Sequence, residues 1–263
     1  MRLFLIISLI LIISSCKSSY IDETFDISGF TFFKVKSKIH NSDYFMMRNE
    51  VTNLQMITFL NSYIEKNEFR FEKINNNLAV VGYYAGDAEN NIGENPYYKK
   101  GEKLYFYLEG NAKIPFINWN SEKQLFEIVN EKYNFYPVTR VSWFLAHAFA
   151  KFYSFNIPTE KQWLESAKYY MEINNFSKKE ISNLSNQKTG EIKPINKYDF
   201  FGNISEWTSS IYTLPSSPFR TIMGTSCFDL QDKYLSIQYR KSNFAPQVLR
   251  DVGLRFMSQI RIK

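Results

Sequence analysis

Cysteine is scarce in this chain of 263 residues, with Cys16 and Cys227 the only two. That excludes a disulfide framework, a redox pair and a zinc site built on the usual cysteine spacing. Histidine is as rare: His40 lies in an early polar stretch and His147 in a helical run beside Ala146 and Ala148, and each reads as an ordinary hydrogen-bonded or exposed side chain. No Gly-x-Ser-x-Gly segment is present, which removes serine-hydrolase logic. Runs of like charge are missing too. The net charge of +6 is spread along the chain and describes a solvated surface. Aromatic residues make up 17%, but they accompany a wealth of Asn, Lys and Ile that points to a biased codon supply, so they are not read as a binding signature.

The longest apolar stretch, residues 3–13, follows Met1-Arg2 and precedes Ser14-Ser15-Cys16. A basic start, a short apolar core and small residues before a cut site describe a secretory signal. The stretch is too short to span a bilayer, which takes about 20 apolar residues. Ile-Ser-Ser-Cys over residues 13–16 also resembles a bacterial lipobox, with Cys16 lipidated as the mature N-terminus; the alternative is an ordinary cleaved signal with an incidental cysteine. The expected organisation is a signal peptide over residues 1–15, a lipidated polar tether over 16–28 and one domain over 29–263. Acyl chains on Cys16 would anchor the protein to a membrane. An exported protein meets no nucleic acid.

Helix starts are declared by caps. Thr-Asn-Leu-Gln over 52–55 is a capping-box pattern followed by a stripe of Met56, Phe59, Leu60 and Tyr63. Ser142 caps a second helix to about Tyr153, with Trp143, Ala146, Phe149, Ala150 and Tyr153 on its buried side. Thr-Glu-Lys-Gln over 159–162 opens a third, with Trp163, Ala167 and Tyr170 on one face, and Ser177 a short fourth. The remainder reads as short strands and long irregular segments, which makes the chain α+β with much coil. The acidic residues 87–94 lack the alternation of a calcium loop and read as solvated.

Three segments form a series: Pro-Val-Thr-Arg-Val-Ser-Trp over 137–143, Ile-Pro-Thr-Glu-Lys-Gln-Trp over 157–163, and Tyr-Asp-Phe-Phe-Gly-Asn-Ile-Ser-Glu-Trp over 198–207. Gly-Leu-Arg-Phe over 253–256 follows, and Phe-Met-Met-Arg-Asn-Glu-Val-Thr over 45–52 precedes them. In order and spacing they resemble the formylglycine-generating-enzyme family, also called the sulfatase-modifying-factor family. The resemblance covers most of the chain beyond the leader. It implies a C-type-lectin-like α+β fold with small twisted sheets, few helices and much ordered loop.

Enzymes of that family oxidise a sulfatase cysteine with copper held by two cysteines, placed between an Arg-Gly-Gly-Ser-aromatic motif and the terminal Gly-Phe-Arg. Here the first motif is degraded to Met-Gly-Thr-Ser-Cys over 223–227, and the thiol positions fall near Tyr234 and Tyr239. Phenols are poor ligands for Cu(I). Another branch uses iron held by three histidines, which this chain lacks. Neither copper nor iron is expected. The resemblance does imply a calcium site in the loop over 199–206, from the carboxylates of Asp199 and Glu206 and the carbonyls of Gly202 and Ile204, all hard oxygen donors. A second family calcium site is missing from residues 187–196. Ser226, Arg240 and Arg255 are expected to knit the C-terminal loops together.

The leading expectation is a non-catalytic, lipid-anchored binding or scaffolding protein of the bacterial cell envelope, with an envelope protein or a glycan as ligand. Two alternatives remain: an atypical oxidoreductase relying on Cys227, and a surface ligand-binding protein of lectin fold.

Overall fold

The computed structural model describes residues 24–86, 97–177, 190–196, 199–212, 217–229 and 237–259. The acidic stretch 87–94, Cys16, Tyr234 and the run following Ser177 lie outside them. In chain order the strands begin with β1 (Thr24–Ile27), β2 (Phe30–Val35) and β3 (Tyr44–Met47), followed by helix α1 (Asn53–Glu65). Then come β4 (Phe69–Ile74), β5 (Asn77–Tyr84), β6 (Gly101–Tyr107) and the hairpin β7 (Ile117–Asn120) and β8 (Leu125–Ile128). A 3-10 turn (Glu131–Tyr133) leads to α2 (Trp143–Tyr153) and α3 (Glu160–Ile173), and a second such turn (Asp199–Phe201) leads to β9 (Ser205–Ile211). Strands β10 (Phe219–Met223), β11 (Arg240–Phe244), β12 (Val252–Gly253) and β13 (Met257–Ser258) complete the body.

Among the described residues four small sheets result, with strand orders β1-β2-β3-β13, β11-β10-β9-β12, β4-β5-β6 and β7-β8. Residues 24–27 fall within the stretch read as tether, and they pair antiparallel with β2 from Thr24↔Phe33 to Ile27↔Phe30. The C-terminal β13 pairs with β3, tying the end of the chain to its beginning.

The three helices start where their caps place them. Thr52 Oγ1 accepts from Gln55 N and Gln55 Oε1 accepts from Thr52 N; Thr159 and Gln162 repeat the arrangement at α3. On α1 the buried stripe is Met56, Phe59, Leu60 and Tyr63, with Asn53 added at the first turn. Helix α2 departs from the one-sided expectation: every residue from Trp143 to Ala150 is buried, while Tyr153 is half-buried. It packs on the β5–β6 sheet, its Phe149 meets Phe59 of α1 and Phe30 of β2, and Trp143 reaches Thr208 of β9 and Arg220 of β10, so its first two turns have no solvent face to make polar. Burying a large apolar side chain contributes about 1.5–3 kcal/mol. α3 packs Trp163, Ala167 and Tyr170 with Phe200 and Phe201 in a second, smaller cluster.

Candidate functional site

The sequence motifs meet in one buried network. Trp143 Nε1 donates to Thr208 O at 2.8 Å, Trp207 Nε1 donates to Val141 O at 3.1 Å, and Trp163 Nε1 donates to a Glu206 oxygen at 2.5 Å. Trp163 and Trp207 thus bond another motif directly, and Trp143 bonds the residue that follows one. Arg255, completely buried, joins the last motif to the rest: its guanidinium donates to both Glu206 oxygens at 2.8–2.9 Å and to the carbonyls of Met47 and Arg48. Glu50 approaches the same guanidinium at 3.8 Å, and the Phe200 ring lies against it at 3.8 Å. Gly253 is required here by space, since a Cβ would stand 2.5 Å from the Val138 carbonyl oxygen and 2.4 Å from the Ile204 side chain.

That network decides the fit of Glu206 to calcium. Both of its oxygens are taken by a guanidinium and an indole N–H, and a second cation beside Arg255 would be repelled; Glu206 does not fit a calcium ligand. Asp199 lies on the 3-10 turn, but its side chain is outside the described residues. The loop carbonyl of Asn203, between Gly202 and Ile204, accepts from Cys227 N at 3.0 Å, and its side chain pairs with the Lys193 backbone. The loop is thus closed by hydrogen bonds. Among the described residues no three His, Cys, Asp or Glu side chains are grouped to hold a metal.

Nor do the residues fit copper or histidine-bound iron. Cys227 is buried, and burial, followed by the nearby Asp251 carboxylate, pushes its thiol up to about 11. It is the one cysteine among the described residues, whereas the copper site of the family enzymes takes two. Tyr239 is half-buried ahead of β11. His147 packs between Tyr84 and Trp143, and His40 lies edge-on to Tyr44. Ser226 serves structure, as expected: its hydroxyl donates to Asp251 at 2.7 Å, and Lys241 pairs with the same carboxylate at 2.8 Å, which holds Asp251 below the usual carboxylate range despite its burial. Arg240 pairs at the surface with Glu160.

What the fold does build is a cavity of about 500 Å³ beside the Cys227 segment. One wall is aromatic: Phe116, just before β7, stacks on Tyr133 at 3.9 Å and 13°, and Tyr136 meets both rings edge-on. Phe228 and Arg250 form another, the guanidinium 4.2 Å from the ring. Lys132, whose Nζ lies 4.8 Å from the Tyr133 ring, and Arg140 add two further cations, while Glu191 is the lining carboxylate. Thr139 also lines it, fully buried, with no hydrogen-bond partner for its hydroxyl.

Backbone bonds fix these walls: Arg140 N to Leu249 O, Gly190 N to Cys227 O, and Val129 N to Phe116 O, at 2.9–3.1 Å. Phe116 and Arg140 have φ of +63° and +57°. Such left-handed conformations cost side-chain-bearing residues about 1–3 kcal/mol and concentrate at functional sites. Sequence reading missed this pocket. The signal was there in Thr139 and Arg140, the two unspecified positions of the Pro-Val-x-x-Val-Ser-Trp motif, and in the interleaved Lys132, Tyr133 and Tyr136.

Fold and network together define an α+β domain of the sulfatase-modifying-factor class. A match to the family described as Sulfatase-modifying factor enzyme 1-like domain spans residues 22–260, and the chain belongs to that family. Its fold is the C-type-lectin-like α+β fold that the motifs imply. Among solved structures, CarF is similar at 16% identity over 84% of this chain and 88% of that chain, with a TM-score of 0.46. Treponema denticola variable protein 1 is similar at 14% identity over 91% and 99%, TM-score 0.47, and PvdO from Pseudomonas aeruginosa at 12% over 83% and 81%, TM-score 0.42. No curated protein matches the chain.

Proposed function

We propose that this chain is a lipid-anchored, non-catalytic ligand-binding module of the bacterial cell envelope, and that the pocket beside Cys227 is its binding site. One observation carries the reading: a preformed concave site, with aromatic walls, cations and an unpartnered Thr139 hydroxyl, adjoins the Cys227 segment of a chain in which the positions matching the family's copper thiols fall near Tyr234 and Tyr239. Binding needs a shaped cavity with a few placed polar groups. Copper oxidation needs a thiolate pair. The anchor rests on Cys16 and the residues before it, and no described helix is long and apolar enough to cross a membrane.

The test is photo-crosslinking on intact cells from position 135, since Phe135 is 60% exposed and lies between two pocket residues, Tyr133 and Tyr136. The wild type should give a discrete adduct that disappears with Tyr133→Ala and with Arg250→Ala, and Cys16→Ala should release the protein from the membrane fraction. An adduct that survives both pocket substitutions, or a Cys16→Ala protein that stays membrane-bound, would contradict the proposal.

A further inference from the structure

We infer that the pocket takes an acidic saccharide, a sugar ring carrying a carboxylate; this rests on the pocket being a binding site and names its ligand class. Charge comes first. Lys132, Arg140 and Arg250 face one lining carboxylate, Glu191, and none of the three cations makes an ion pair among the described residues. Lys132 and Arg250 are instead positioned by rings, at 4.8 Å from Tyr133 and 4.2 Å from Phe228. A cation held over a ring is located without being neutralised, so its N–H donors stay available for an anion. Arg255, Arg240, Arg70 and Lys241, by contrast, have carboxylate partners, and what sets Lys132, Arg140 and Arg250 apart is that all three line one cavity.

Shape and polarity narrow the anion. A small inorganic ion would leave most of about 500 Å³ and the half-buried rings of Phe116 and Tyr136 unused, while Tyr133 is covered by Phe116 on one face and Lys132 on the other. A pyranose has apolar C–H faces that pack on aromatic rings, and hydroxyls on its rim. Thr139 Oγ1 needs such a hydroxyl: a buried, unsatisfied hydroxyl costs about 1–3 kcal/mol, which a ligand hydrogen bond offsets. A flat aromatic acid satisfies rings and cations but brings no hydroxyl. An extended acidic peptide favours a groove or a sheet edge, whereas this site is a concave pocket whose walls are fixed by the three backbone bonds described above.

The experiment compares a di-uronate with the neutral disaccharide of the same linkage, phenylacetate and an acidic peptide, by titration calorimetry at low and high salt. The di-uronate should bind, with the neutral sugar at least about tenfold weaker, since a charged hydrogen bond contributes about 1.5–3 kcal/mol and 1.4 kcal/mol is tenfold. Arg250→Ala with Lys132→Ala should abolish that difference, and Thr139→Val, nearly isosteric, should weaken the di-uronate severalfold in a protein with unchanged circular dichroism. Equal binding of both sugars, tighter binding of phenylacetate or the peptide, or no binding of the di-uronate overturns the acidic-sugar assignment. If the cell-surface adduct still depends on Tyr133 and Arg250 in that event, only the ligand class falls; if the adduct is indifferent to both, the site falls with it.

Discussion

Arg255 and Glu206 organise the interior, and their charges make the consequence of substitution large. Glu206→Ala leaves a guanidinium buried with Glu50 at 3.8 Å as its remaining ion-pair partner. Breaking one side of a buried pair costs about 3–5 kcal/mol, so urea denaturation of Glu206→Ala should show a loss of that size. Because these oxygens are occupied by Arg255 and Trp163, calcium and EDTA should give the parent protein the same melting temperature. A rise in calcium of several degrees that Glu206→Ala removes would reinstate the metal reading.

Alkaline pH addresses other buried groups. Burial pushes the Cys227 thiol from 9.0 to about 11 and the Tyr63 phenol from 10.0 to about 12, and it raises Tyr44 and Tyr105 further. A raised folded-state value means that the stabilisation is complete below the unfolded value and is lost as pH rises through the folded one. Stability should therefore fall from about pH 9 upward, and phenolate absorbance from these tyrosines should appear together with unfolding. Iodoacetamide should modify Cys227 slowly at pH 8, and rapid alkylation of the folded protein would contradict the burial described.

At the scale of elements, capping sets the helices. Thr52→Ala and Thr159→Ala should each cost about 1 kcal/mol, the usual worth of an N-cap oxygen. Ser142→Ala should cost more, because its hydroxyl also donates to the Leu104 carbonyl at 2.5 Å inside the core; chemical denaturation of the three variants checks the order. The same caps made α1, α2 and α3 legible in the sequence, since they are local signals spanning a few residues. The stripe of Met56, Phe59, Leu60 and Tyr63 was legible for the same reason. The full burial of α2 was not, because enclosure on all sides depends on sheets formed by distant segments.

The candidate site divides in the same way. Trp143, Trp163, Trp207 and Arg255 were readable as a family series, yet their bonds run between motifs, so spacing revealed membership and not the partnership that removes Glu206 from calcium. Phe116, Tyr133, Phe228 and Arg250 come from four separate stretches and share no periodicity. The traces were the interleaved Lys132, Tyr133 and Tyr136 and, at the motif's unspecified positions, Thr139 and Arg140, the latter at a positive φ.

In the molecule as a whole, scaffold and chemistry separate: the motifs supply a core network, and of the two positions where the resemblance places the copper thiols, the described one holds half-buried Tyr239. The most direct test is mass spectrometry of a sulfatase-type cysteine peptide incubated with the purified protein, copper, oxygen and a reductant. A non-catalytic module leaves the peptide thiol unchanged, in the wild type as in Cys227→Ser. An aldehyde product formed by the wild type and absent with Cys227→Ser would contradict the account and establish an oxidoreductase that works through a single thiol.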